Sequence, residues 1–591
     1  VQSESTSQID RAVAEGGAYE VLRRRLGDQG TQLRTLAEGL NAQRLQEFGG
    51  SRMEVVGRLR IRTEHNCVAR DIVQVGDCLL FGYNVFIGLK KDTRIEDVFS
   101  LYRLVDGADG YDVTPVATAS SFLGDAAFVK DFTELHAYYK NTRLLQLVVR
   151  DGKLLAAFQI GERLEDIRVF RWQVDGEGVR YIDNRGERDI ALPAPYDFEW
   201  IRATREMAVD GRHPHVNILD TVFVETVNGD LTIKVENNTE DGLGIYREPV
   251  EDKIQSLDDA QIEFARVGSL VLLRILPYRE QQWRHLAYNT ISGKVHRIDA
   301  IGQACVQLPD DHGIVFPGGY MLQNGETRMF DQAVEGMRFK RTIRSPNGED
   351  VLYLFYEPQD GRIALFVYNT IQRGMQPPII GHGYARLEDG RMVIFSAQNN
   401  EPTKIHPMQV WQTPFAFDDH AAKAPPGNTF MGRIGNPELV RGISDLLSLA
   451  REIDAADVSA QRYQLLTQTT RRLFDQYHWV EDRHCGALAP LLREIVASSE
   501  AVLDEYEKVE SIRRQSAGAM RDAAERQAAL IGGLHPDSWE KVQDCVDALN
   551  AITAQRGRLL TLREQRYVDV AAIDAMEAEL LEAQARVGDA T

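Results

Sequence analysis

The sequence has 591 residues, with 68 Lys and Arg against 88 Asp and Glu, a formal charge of −20. Hydrophobic residues at 43% and charged residues at 26% exclude a wholly disordered chain. The length exceeds the roughly 250–300 residues that one core sustains, so two or more domains are expected, and the acidic balance disfavours broad, nonspecific polyanion binding while leaving room for a local basic face.

Residues 1–50 read as a helical segment. Ile9, Val13, Tyr19, Leu22, Leu26, Leu33, Leu36, Leu40 and Leu45 recur mostly at steps of three or four and paint one apolar face. Gly16-Gly17 and the glycines at 27 and 30 interrupt the pattern, and Gly49-Gly50 ends it, which suggests a short helical hairpin or antiparallel coil.

From 55 to 417 the grammar is that of strands. Apolar runs of four to eight residues alternate with the turn dipeptides Asp151-Gly152, Asn228-Gly229, Asn347-Gly348, Asp360-Gly361 and Asp389-Gly390. Asn-Gly and Asp-Gly supply the positive φ angles of tight hairpins. Leu286-Ala287-Tyr288-Asn289-Thr290-Ile291 recurs as Leu365-Phe366-Val367-Tyr368-Asn369-Thr370-Ile371, and Gly313-Ile314-Val315-Phe316 has a loose echo in Gly383-Tyr384-Ala385-Arg386. Repeated hairpins over this length predict a β-propeller of about seven blades.

Residues 418–437 form a linker by composition, with Ala424-Pro425-Pro426-Gly427, Gly432, Gly435 and Pro437. The helical period returns over 438–591. Ile495, Ser499, Val502, Tyr506 and Val509 alternate steps of four and three, and Gly532-Gly533 breaks the run. Asp537 with Glu540 predicts a capping box that opens another helix, whose seam is Val542, Val546, Leu549, Ile552, Leu559 and Leu562. The fold class is therefore mainly β with helical flanks: a propeller between an N-terminal helical hairpin and a C-terminal coiled coil or helical bundle.

No run approaches the ~20 apolar residues that cross a bilayer, and no secretion leader is visible. The five cysteines, Cys67, Cys78, Cys305, Cys485 and Cys545, lack paired short spacings, so a reducing cytoplasm is expected rather than a disulfide framework. The chain opens on Val1 and its last helical pattern runs on uncapped, as expected of a piece of a longer polypeptide.

Chemistry-bearing motifs are sparse. Gly427-Asn428-Thr429-Phe430-Met431-Gly432-Arg433 has the glycine spacing of a phosphate loop, but Arg433 replaces its Lys and Ile434 its Ser or Thr. The chain is therefore expected not to be an enzyme, with no catalytic, cofactor-binding or metal-binding residue assigned. Glu64-His65-Asn66-Cys67 with Cys78, and His213-Pro214-His215, carry metal-ligand chemistry without the tight spacing of a metal site. His484-Cys485 imitates a thiolate–imidazole pair, but neighbours on a helix point about 100° apart. Arg23-Arg24-Arg25, Lys90-Lys91, Arg513-Arg514 and the set Arg338, Lys340, Arg341 and Arg344 around Phe339 are basic stretches that phosphates can touch and that more often form solvated faces.

The stretch from Thr63-Glu64-His65-Asn66-Cys67-Val68-Ala69-Arg70-Asp71 through Gly82-Tyr83-Asn84 to Ile95-Glu96-Asp97-Val98-Phe99 resembles the N-terminal region of large bacterial AAA-type proteins known as DNA repair ATPases. Tyr19-Glu20-Val21-Leu22 and Leu40-Asn41-Ala42-Gln43-Arg44-Leu45 share in that resemblance. It implies an ATPase module downstream, where ATP and Mg would bind. The broad faces of a propeller and the helical flanks point to a non-catalytic recognition and scaffold role for this region. Propeller faces would dock protein partners and the helices would couple to the motor or support a homo-oligomer. Arg62, Glu64, His65, Arg70, Asp71, Arg212, His213 and His215 are the candidate partner contacts. Alternatives are a nucleic-acid-binding region, an adaptor for membrane-stress proteins of the phage-shock or flotillin type, and a propeller hydrolase.

Overall fold

The computed structural model describes residues 17–50, 52–85, 92–108, 110–332, 334–396, 401–423, 427–455 and 458–589. Ile9, Val13, Gly16, Lys90-Lys91 and Ala424-Pro425-Pro426 lie outside them. The chain divides into two units, one of residues 34–448 and one of residues 1–33 with 449–591. It is mainly β, with helices at both ends.

In the first unit every pair of named strands is antiparallel. The strands form five sheets: four strands over 143–183, five over 208–248, four over 261–297 joined by Ile201–Arg202, four over 306–329, and an eleven-stranded sheet that combines 338–412 with 54–116. Each of the five turn dipeptides sits between paired strands, with Asp151 at φ 51° and Gly152 at φ 71° making the tightest. The sequence predicts about seven four-stranded units, whereas the described strands form five sheets. The difference arises at two joins, the pairing of Ile363–Asn369 with Ile379–Arg386 and the 22-residue strand Glu54–Val75, which pairs on both sides. Its first half lies against the last strand, from Glu54 opposite Gln412 to Arg62 opposite Ile405. Its second half pairs with Cys78–Val85.

Apolar clusters fill the spaces between sheet faces. Leu80, Leu101, Phe158 and Trp172 form one, and Leu59, Phe81, Phe395 and Met408 another. Val224 packs with Leu273, Leu272 with Phe316, Val315 with Phe355, and Leu354 with Ile394. The repeated Tyr-Asn-Thr-Ile has a shared physical basis. Asn289 Oδ1 accepts from the N–H groups of Ile291 and Ser292 at 2.8 and 2.9 Å. Asn369 Oδ1 does the same for Ile371 and Gln372 at 3.1 and 2.9 Å. Each side chain thus closes the turn that leaves its strand.

Helical residues at both edges of the strand region belong to this unit. The fully buried Arg44 pairs with Glu349 at 2.9 Å and donates to Asn436 at 2.9 Å. Ser444 donates to the carbonyl of Thr370 at 2.6 Å, and Arg373 pairs with Asp445 at 3.1 Å.

The second unit is helical. Ala18–Phe48 is one 31-residue helix, divided between the units at 33/34. Gly27 and Gly30 do not break it into the expected hairpin. Each glycine costs only about 1 kcal/mol against Ala, and at Gly30 the missing side chain admits Ile453, whose Cγ2 would lie 2.7 Å from an added Cβ. Tyr19, Tyr463 and Tyr506 form an aromatic cluster, with the Tyr19 and Tyr463 hydroxyls 2.8 Å apart. Leu488–Gly532 has 45 residues and ends at the expected Gly532-Gly533. The next helix, Val542–Arg563, lacks the expected Asp537–Glu540 box: Pro536–Ser538 forms a separate 3-10 turn, Trp539 is extended, and Lys541 provides no side-chain cap. Its buried face is Cys545, Ala548, Ile552, Leu559 and Leu562, packed with Ile573, Leu580 and Val587 of Val570–Asp589. Val542 and Val546 of the predicted seam are exposed.

Candidate functional site

The Arg62–Asp71 stretch is split by burial. Arg62 and Glu64 are exposed and His65 is half-buried, with its Nε2 3.7 Å from Asp97. Arg70 and Asp71 are buried and act inside the unit. The Arg70 guanidinium donates to the carbonyls of Leu145, Gln359 and Pro358 at 2.9, 3.2 and 2.6 Å. The Asp71 carboxylate accepts from the N–H groups of Ile72 and Leu147 at 2.9 and 2.8 Å.

Cys67 meets a partner that sequence spacing does not reveal. Its Sγ lies 3.3 Å from His406 Nε2 and 3.3 Å from Thr63 Oγ1. Burial pushes the Cys67 thiol up to about 11 and the His406 imidazole down to about 4. Both groups are thus neutral near pH 7, unlike an activated thiolate–imidazolium pair. Cys78 is bonded elsewhere, to Asp77.

His213 and His215 have separate partners. His213 Nδ1 lies 3.0 Å from Glu225, which also holds the buried Lys234 at 3.0 Å. His215 Nε2 lies 2.8 Å from Asn237 Oδ1, and Arg212 is exposed. His484 faces Asp482 and Cys485 donates to the Trp479 carbonyl, so the two do not form a dyad. Among the described residues no group of three or more His, Cys, Asp or Glu is arranged to hold a metal ion. In the glycine loop, Thr429 Oγ1 caps the single turn Phe430–Ile434 and donates to the Glu47 carboxylate at 2.6 Å, which puts negative charge where a phosphate loop needs positive.

The basic strand gives a different result. Arg338–Arg344 borders a cavity of about 620 Å³ whose wall includes Asp71, Gln146, Arg150, Lys340, Arg341, Tyr356, Tyr384, Arg386, Glu388 and Phe417. Four strands converge there, and each carries an irregularity in its pairing: between Ala69 and Asp71, Leu144 and Gln146, Phe339 and Arg341, and Gly381 and Tyr384. Bulges re-aim side chains; at the third, the neighbours Lys340 and Arg341 both line the cavity. Gly383 makes the convergence possible: its φ is +134°, and an added Cβ would lie 2.6 Å from Asp71 Cα. Lys340 Nζ sits 6.0 and 5.6 Å from the ring centres of Tyr356 and Tyr384, and Arg386 Cζ 4.3 Å from that of Phe417. Burial, with Arg341 nearby, holds the Arg386 guanidinium below its ordinary value. Lys340 and Arg341 were legible as part of a basic, strand-like stretch around Phe339; Arg150 and Arg386 carried no local signal and join them only through the topology.

A larger cavity, about 1210 Å³, is bordered by Glu349, Asp350, Asn369 and Trp411. Burial, then the neighbouring Glu349, pushes the Asp350 carboxyl up to about 7. Asn369 Nδ2 donates to it at 3.2 Å. No helix among the described residues is long and apolar enough to cross a membrane.

Several solved structures resemble the chain loosely. Core factor of S. cerevisiae has a TM-score of 0.21 and 9% identity, with 73% of this chain and 75% of that one covered. The β-propeller domain of the Trilobed protease from Pyrococcus furiosus has a TM-score of 0.16 and 10% identity, covering 58% and 95%. The Dos1 propeller has a TM-score of 0.17 and 9% identity, covering 61% and 95%. These likenesses are too loose to carry a conclusion about fold or function. No curated protein sequence matches the chain. Residues 32–478 match the model of a family described as "ATPase involved in DNA repair", and the chain belongs to that family.

Proposed function

We propose that this chain is a non-catalytic recognition and scaffold region, N-terminal to the motor of a large AAA-type ATPase. The strand unit docks protein partners in the cytoplasm, and the helical unit links that docking to ATP-driven change elsewhere in the polypeptide. The observation that carries this reading is the glycine loop. Within a family described by ATPase activity, its phosphate-loop spacing lacks Lys and is capped against Glu47. On this reading nucleotide turnover is the work of another part of the protein.

The docking body in this proposal is a seven-bladed propeller. The eleven-stranded sheet parses into three units, 338–375, 379–412 with 54–62, and 67–116. With the four smaller sheets these make seven. The apolar clusters named above each lie between consecutive units in this parse, as blade-to-blade packing requires. Strand Glu54–Val75 then ties the last blade to the first.

Affinity capture with the full-length parent protein, with and without ATP, tests the role. Partners retained by residues 1–591 and released or gained with ATP in the parent support it. Capture that needs only the downstream motor, with nothing held by residues 1–591, contradicts it.

A further inference from the structure

The four-strand cavity has a charge imbalance that folding alone does not explain. Its wall carries Arg150, Lys340, Arg341 and Arg386 against the carboxylates of Asp71 and Glu388. Asp71 accepts from the N–H groups of Ile72 and Leu147 and acts at longer range on Lys340, as Asp418 does on Arg386, so carboxylates offset part of this charge without pairing with it. None of the four cations has an ion-pair partner within 4.0 Å among the described residues, whereas Arg171, Arg284 and Arg391 of the same unit each hold carboxylates. In a chain of net charge −20, such a cluster is not a consequence of composition.

Tyr356, Tyr384 and Phe417 hold Lys340 and Arg386 through their ring faces. A ring positions a cation without neutralising it, and leaves its N–H donors for another acceptor. Burial first and then Arg341 disfavour the Arg386 charge, partly offset by Tyr384 and Asp418; an anion beside the two guanidiniums favours that charge. The volume of about 620 Å³ falls in the range of small-ligand sites, roughly 300–1,000 Å³.

We propose that this cavity binds a compact anion carrying several phosphate groups, held by Lys340, Arg341 and Arg386 with Arg150 completing the basic wall. The phosphates accept charge-assisted hydrogen bonds from the guanidinium and ammonium groups. The proposal stands on the cavity and does not depend on the scaffold reading.

Calorimetric titration of the 591-residue chain with inorganic tripolyphosphate and with inositol hexakisphosphate tests it, at low and high salt. Saturable binding that weakens steeply with salt is expected. Lys340→Gln, Arg341→Gln and Arg386→Gln should each weaken it by about tenfold. Arg180→Gln, which removes an exposed guanidinium paired with Asp175, should not change it. Arg341 is exposed, so Arg341→Gln gives a folded variant, checked by its melting curve, if the other two unfold. ATP binding as tripolyphosphate does assigns the phosphate chain as the recognised group. The proposal is overturned by absence of binding to both probes, by equal binding in the folded variants, by binding of ATP without tripolyphosphate, or by tighter binding of a single-stranded oligonucleotide through the same residues.

Discussion

The carboxylate of Asp71 accepts a hydrogen bond from the backbone N–H of Leu147 at 2.8 Å, joining two strands that are not paired in one sheet. Its neighbour Arg70 reaches the carbonyl of Leu145 on the same strand. Together they place the most distinctive stretch of the sequence at a structural junction. Asp71→Ala should cost roughly 2–4 kcal/mol in urea unfolding, because it strands two buried N–H donors. Asp71→Asn, which keeps one acceptor oxygen, should cost less. Equal stability of Asp71→Ala and the parent would show that the junction is held by other contacts.

Gly383 tests the same junction from its other side. With φ at +134° and Asp71 Cα 2.6 Å from an added Cβ, Gly383→Ala meets both backbone strain and a clash with main chain. A loss of about 2 kcal/mol or more is expected in thermal or urea unfolding, and a neutral substitution would mean that the two strands can separate at no cost.

Asp350 makes stability depend on pH. Its carboxyl rises from 3.8 to about 7 in the fold, so the folded state favours the protonated form. That contribution is complete below pH 4 and is lost as pH rises through about 7. Asp350→Asn should therefore raise the melting temperature relative to the parent most at pH 8, less at pH 5, and little below pH 4. The reverse order would place the ionised carboxylate in a stabilising contact.

Cys67 should be inert in the native state. Its buried thiol, pushed up to about 11, is expected to resist alkylation at pH 8 while the partly exposed Cys78 reacts, as peptide mapping by mass spectrometry can read. His406, held near 4 by burial, stabilises the fold as neutral imidazole. That stability is present above pH 6.5 and lost as pH falls toward 4. Rapid labelling of Cys67 in the folded protein would contradict this picture and restore a nucleophile reading.

The β character and the hairpins were legible because Asn-Gly and Asp-Gly turns leave a strong local signal, as at Asp151-Gly152. The Asn289 and Asn369 turns made the internal repeat visible for the same reason. The double pairing of Glu54–Val75 was not legible, since register across more than 300 residues leaves no local trace. Gly30 misled because tertiary packing against Ile453 overrides a weak helix propensity. Among the candidate contacts, burial separates Arg70 and Asp71 from Arg62 and Glu64. Spacing in one strand gives alternation, but the bulge between Ala69 and Asp71 shifts it.

Phosphate release from ATP by the purified 591-residue chain, followed at steady state with Mg present, bears most directly on the non-catalytic reading. Release no faster than in buffer is expected, even where ATP occupies the basic cavity. Saturable, Mg-dependent turnover that survives repurification and is abolished by substitution within this chain would contradict it.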